Sequence, residues 1–229
     1  MPNSLGSFRL TSRAALAGMG LLLAVGLALS VAAALEPRLP GDMLVAQWVQ
    51  SLATPWLDRV MKAVTLLGMT YVAGASILAT AAAFALARRW PEVAAFMGAA
   101  VMEGAVQVLK SLIGRPRPPE ELLRVMESGA SGSFPSGHVY HAVVFGGLLL
   151  ALVVPGIRPD LSGLRRAVAV LVLLLAVAIA ASRVYLGAHW PSDVLGSVAL
   201  GIPSLAMLVY LCRRLGGGES SPQEDGPRQ

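Results

Sequence analysis

The run AVAVLVLLLAVAIAA at residues 167–181 is followed at once by SRVYLGAHWPSD at 182–193. An unbroken apolar run of this kind belongs in hydrocarbon, where a helix satisfies its own backbone groups. The abrupt change to Ser182-Arg183, Gly187, His189 and Pro191-Ser192-Asp193 marks its exit at a membrane edge. The same juxtaposition recurs twice. An apolar segment at 93–113 carries Lys110 near its end and runs into GRPRPP at 114–119, and FPSGH at 134–138 opens another at 139–154.

A hydrocarbon core of roughly 30 Å takes about 20 residues of helix. Spans are predicted at 14–35, 70–87, 93–113, 139–154, 167–181 and 194–210. Between the first two, residues 43–67 mix apolar residues with Gln47, Gln50, Asp58, Arg59 and Lys62 and carry Trp48 and Trp56, the composition of an interfacial helix. The predicted fold is therefore all-α: a polytopic membrane helix bundle of about six transmembrane helices plus an interfacial helix. A mean hydropathy of +0.67 and a charged fraction of 14% exclude an ordinary soluble domain. One domain at 14–215 is expected, with residues 1–13 as a cytoplasmic amino terminus and 216–229 as a disordered cytoplasmic tail.

Of the 18 basic residues, 16 are arginine, scattered in ones and twos between spans, which reads as membrane-flanking charge and gives no nucleic-acid surface. With a cytoplasmic amino terminus, Arg9, Arg13, Arg88-Arg89, Arg158, Arg165-Arg166 and Arg213-Arg214 share the inner side. Lys110, Arg115, Arg117 and Arg183 then lie at the outer side, together with the three motifs. A secretory signal is the other reading of 14–35, since Ala32-Ala33-Ala34 has the small residues of a cleavage site. At about 22 residues the segment is long for a signal core, which favours a retained span. The lone Cys212 excludes an intramolecular disulfide, and no Cys/His cluster suggests zinc.

Each polar residue at the outer edge has a structural and a chemical reading. Lys110 snorkels to the interface or binds an anion. Pro116, Pro118 and Pro119 end the helix, so Arg117 sits on a bent, rigid segment. Ser136 is placed as an N-cap with the Gly137 and His138 amides in the first turn, a site where backbone N–H groups receive phosphate. His189 and Asp193, four apart, make either a structural hydrogen bond or an imidazole whose tautomer a carboxylate fixes. Arg115 touches a second phosphate or lipid headgroups. Glu103 and Gln107, four apart inside a span, predict a hydrogen bond between helices in preference to a proton path, and His141, one turn after His138, is either a second-layer site residue or a paired polar group in the bundle.

Together the motifs resemble the type 2 phosphatidic acid phosphatase (PAP2) superfamily, whose pattern is Lys-x6-Arg-Pro, Pro-Ser-Gly-His and Ser-Arg-x5-His-x3-Asp. Every polar position is matched, by Lys110, Arg117, Ser136, Gly137, His138, Ser182, Arg183, His189 and Asp193. The resemblance implies a core shared with haloperoxidases, and a metal-independent, cofactor-free lipid phosphatase. His189 would be the nucleophile that forms a phosphohistidine, Asp193 would orient it, and His138 would protonate the departing oxygen. Lys110, Arg117, Arg183 and the amides near Ser136 and Gly137 would hold the phosphoryl oxygens; Ser182 and, outside the family pattern, His141 and Arg115 are candidates for the layer behind them. The expected partners are a phosphorylated membrane lipid and the bilayer of the cell membrane, with the site facing the periplasm or exterior. The short format favours undecaprenyl diphosphate as substrate and leaves phosphatidylglycerol phosphate and phosphatidate as competitors. A lipid phosphate transferase and a non-catalytic lipid transporter are the readings from other classes.

Overall fold

A computed structural model describes residues 12–216. Among the described residues eight α-helices make up the bundle: α1 (Arg13–Leu35), α2 (Asp42–Ser51), α3 (Pro55–Thr65), α4 (Thr70–Leu86), α5 (Trp90–Ile113), α6 (Gly137–Leu148), α7 (Ser162–Tyr185) and α8 (Pro191–Gly216). The expectations for residues 1–11 and 217–229 lie outside the described residues.

Among the described residues five helical stretches are long and apolar enough to cross a bilayer, with α6 continuing through a π-type turn and a 3₁₀ turn to Gly156. The span predicted at 70–87 is a bent pair: α4 alone, at 17 residues, reaches only roughly 25 Å. Pro55–Gly68 precedes it at an angle of 50°, the geometry of a broken span or a re-entrant loop. The single interfacial helix expected at 43–67 is two. Thr54 caps a new helix by accepting from the Leu57 amide at 3.2 Å, and Pro55 takes a first-turn position, so the chain breaks between α2 and α3.

The outward surface is leucine and valine: Leu21, Leu86, Leu112, Leu173, Leu174 and Val177 are all exposed. In water this would be untenable; against lipid tails it costs nothing, and close packing between helices does the organising. α1 lies along α8 with Gly26 against Leu200, and α6 meets α8 with Gly147 against Leu205, where a Cβ would come within 2.1 Å of Leu205 Cδ2. Away from the motif-bearing end, Phe96 stacks on Phe84 at 5.7 Å and meets Phe145 edge-on at 5.8 Å.

Topology delivers the chemistry to one end. The C-terminus of α5, the N-terminus of α6, the C-terminus of α7 and the N-terminus of α8 all arrive at the same edge, opposite the ends that carry Arg89, Arg165-Arg166 and Arg213-Arg214. The connection from Gly114 to Ser136 folds across that edge, held on α2 by Gln50, whose side chain donates to Arg124 O at 2.8 Å and accepts from Arg124 N at 3.0 Å.

Candidate active site

Lys110 occupies the last turn of α5 and is buried. Gly114, at φ 61°, takes the left-handed C-cap conformation that a side chain disfavours, and turns the chain into the proline segment. That segment presents Arg117, whose Nη1 donates to Ala188 O at 2.8 Å and whose Nε donates to Ser131 O at 3.1 Å. Arg183, in the last turn of α7, donates to Glu127 Oε2 at 2.8 Å and to Thr65 Oγ1. Three cations thus face one cavity of about 320 Å³ with His138, Gly137, His141 and His189. Burial first, and the Arg183 guanidinium second, pull Arg117 below its ordinary value, the mark of cations gathered without full compensation.

Ser136 is the N-cap of α6, as expected, but its side chain makes no capping bond. Its Oγ, His138 Nε2 and Arg183 Nε are buried with no hydrogen-bond partner among the described residues. Buried polar atoms in native proteins nearly always have partners, and the exceptions cluster where a ligand completes them. All three belong to residues of the motifs.

His189 lies in the turn between α7 and α8, 2% exposed, with Nδ1 3.3 Å from Asp193 Oδ2. A carboxylate only accepts, so Nδ1 carries the proton and Nε2 keeps its lone pair. Burial pushes the imidazole down to about 4, against the upward pull of Asp193, so the ring is neutral at neutral pH. Asp193 is held in turn: Oδ2 accepts from the Trp190 amide at 2.9 Å and from Ser133 Oγ, and Oδ1 from Arg115 Nη1 at 2.5 Å.

Arg115 differs from the expectation of phosphate or headgroup contact. It is buried beneath the site, bridging Asp193 to Asp42, whose Oδ2 lies 2.7 Å from Nη2. The prolines that rigidify this loop turn alternate residues apart, Arg117 toward the cavity and Arg115 toward α2 and α8. Ser182 also turns away from the site, since its Oγ bonds Ile179 O within α7 at 2.7 Å. His141 pairs with Glu103, Nδ1 to Oε1 2.7 Å, and stacks on Phe145 at 4.9 Å. That pair is the predicted interhelical bond, made by Glu103, while Gln107 lines the cavity wall. Asp42, Ser133, Glu127 and Thr65 were not singled out from sequence, because no local pattern distinguishes them.

A family model described as the PAP2 superfamily matches residues 91–216, more than half of the chain. The chain belongs to that superfamily. Phosphatidylglycerophosphatase B of Bacillus subtilis is 32% identical over 162 residues, covering 70% of this chain and 78% of that protein. Decaprenylphosphoryl-5-phosphoribose phosphatase of Mycobacterium tuberculosis is 31% identical over 187 residues, covering 78% and 92%. The crystal structure of a transmembrane PAP2-type phosphatidylglycerolphosphate phosphatase from Bacillus subtilis superposes with a TM-score of 0.72 at 26% identity, covering 90% of this chain and 98% of that one. LpxE of Aquifex aeolicus shares the fold, with a TM-score of 0.53 at 20% identity over 74% and 93% of the two chains. As a PAP2 protein with membrane-spanning helices, the chain is an integral membrane lipid phosphatase, a phosphoric ester hydrolase.

Proposed function

We propose that this PAP2 phosphatase hydrolyses a lipid phosphomonoester carried on a hydroxylated headgroup, phosphatidylglycerol phosphate being the type, through a phosphohistidine on His189. The observation that carries the mechanism is the set of unpartnered buried atoms Ser136 Oγ, His138 Nε2 and Arg183 Nε beside the cationic cavity. The Nε2 lone pair of His189 forms an N–P bond while the P–O bond to the headgroup breaks, its electron pair staying on oxygen. His138 gives that oxygen its proton. His138 then takes a proton from water, whose oxygen forms the new P–O bond as the N–P bond breaks and returns its pair to His189. Lys110, Arg117 and Arg183 spread the charge on the non-bridging oxygens, as positioned cations do in phosphoryl transfer.

The substrate class is argued from the cavity wall and the relatives' names. Glu103, Gln107 and Lys110 follow at spacings of four and three, so they share one face of α5, and all three line the cavity. His141 adjoins them and also borders an apolar groove of about 200 Å³ lined by Leu67, Val72, Phe145, Leu149 and Val172. Phosphate-binding cations, polar collar and apolar groove thus follow in order. That order fits a phosphate, a hydroxyl-bearing spacer and a hydrocarbon tail. The two curated relatives are named for phosphates on glycerol and on ribose, each joined to a lipid. The arginine-rich helix ends lie at the far side of the bundle, which supports a site facing away from the cytoplasm.

The test is phosphate release by detergent-purified protein from phosphatidylglycerol phosphate, phosphatidate and undecaprenyl diphosphate, with His189→Ala as control. Preference for phosphatidylglycerol phosphate in the wild type alone is expected. Release only from undecaprenyl diphosphate, the lipid favoured from sequence, would move the substrate class to diphosphates, and release from none would overturn hydrolysis of these lipids.

A further inference from the structure

Asp42 lies in the first turn of α2, outside the residues that match the family, and is 2% exposed. Its carboxylate has a full set of partners. Oδ1 accepts from the Ser192 amide at 2.9 Å; Oδ2 accepts from Ser192 Oγ at 2.8 Å, Leu39 N at 2.9 Å and Arg115 Nη2 at 2.7 Å. Arg115 extends the chain of bonds to Asp193 Oδ1, and Asp193 to His189. One buried guanidinium is therefore shared between two buried carboxylates.

We infer that Asp42 is a positioning residue for the nucleophile, acting on His189 through Arg115 and Asp193. The inference rests on the assignment of His189 as nucleophile. Two effects support it. By bonding both the amide and the hydroxyl of Ser192, Asp42 fixes the first turn of α8, which carries Asp193. By taking half of the Arg115 charge, it leaves the group Asp42–Arg115–Asp193 with a formal charge of −1. His189 becomes cationic when Nε2 is phosphorylated, and that charge balances it. With Asp42 neutral, Arg115 cancels Asp193 alone. The ring then faces Arg183 from α7, Lys110 from α5, Arg117 from the proline segment and His138 from α6 with no net anion behind it.

The experiment compares wild type, D42N, D42E, R115K and H189A in mixed micelles of phosphatidylglycerol phosphate, with the ring resonances of His189 followed by NMR. D42N should lower kcat about tenfold or more with KM unchanged, and lower the proton affinity of His189. D42E should restore most of kcat. D42N in the R115K background should cost little further, because the two substitutions break one path. Unchanged kcat in folded D42N, or losses that multiply in the double variant, would overturn the inference. If D42N does not fold, R115K carries the test: it keeps one cation but lacks the fork that spans both carboxylates, and wild-type kcat there would be equally decisive against it. Retained activity in H189A would instead overturn the nucleophile assignment. If the wild type releases no phosphate from this lipid, the substrate reading fails, while the His189 resonances still report on Asp42.

Discussion

Nδ1 of His189 lies 3.3 Å from Oδ2 of Asp193, an oxygen that also accepts from the Trp190 amide and the Ser133 hydroxyl. Those other bonds hold the carboxylate still, so it sets both the tautomer and the tilt of the ring. Asp193→Asn would present an amide whose orientation is dictated by its other partners, and the ring would lose its fixed tautomer. We expect kcat to fall by about 10³-fold or more, with the protein folded and KM little changed. Steady-state kinetics on phosphatidylglycerol phosphate check this, and a loss under tenfold would contradict the orienting role.

The burial of His189 gives a pH signature. Its folded value, near 4, lies below the ordinary 6.5. As pH falls below 6.5 the unfolded chain takes up the proton first, so this residue's contribution to stability is present above 6.5 and is lost progressively down to about 4. The neutral ring therefore persists well into acid. With only three histidines in the chain, NMR on isotope-labelled protein resolves the titration, and a midpoint near 6.5 would refute the burial argument.

Much of this site was legible in the sequence because each motif is local and abuts the end of an apolar run, which fixes both its depth in the bilayer and its neighbours. Lys110, His138, Arg183 and His189 reach one cavity for that reason. The break between α2 and α3 was also written in Thr54-Pro55, but a mixed polar composition over 43–67 obscured it. Arg115 shows where local reading ends. Its partner Asp42 is 73 residues away, and nothing in a proline-rich loop at a membrane edge tells a cation bound for headgroups from one bound for a buried carboxylate.

His138 has its Nε2 buried and free of partners among the described residues, as a group awaiting the departing oxygen would. Replacing it with alanine should slow hydrolysis of phosphatidylglycerol phosphate by about 10²-fold or more, and hydrolysis of an aryl phosphate with an acidic phenol much less. Equal losses on both would remove it as proton donor and leave a role in binding.

If Lys110, Arg117 and Arg183, which line one cavity, supply the electrostatic stabilisation of phosphoryl transfer as proposed above, turnover persists in excess EDTA. Phosphate release measured before and after chelation checks this. Loss in EDTA with recovery on adding a divalent cation would assign part of that work to a metal.

Gly68, in the turn between α3 and α4, carries the His138 ring against its backbone. A Cβ there would sit 2.6 Å from His138 Cδ2 and 2.8 Å from its Cβ. The clash includes the atom that anchors the side chain to α6, so a rotamer change alone does not relieve it; the helix or the turn must also give way. Gly68→Ala should therefore displace the imidazole from the cavity and lower kcat about tenfold or more, with the larger loss on substrates whose leaving oxygen needs a proton. Melting temperature separates this from general damage: a variant that melts with the wild type yet loses rate selectively on the lipid ester ties the turn to the acid, and one that keeps its rate shows that His138 acts from a position this contact does not set.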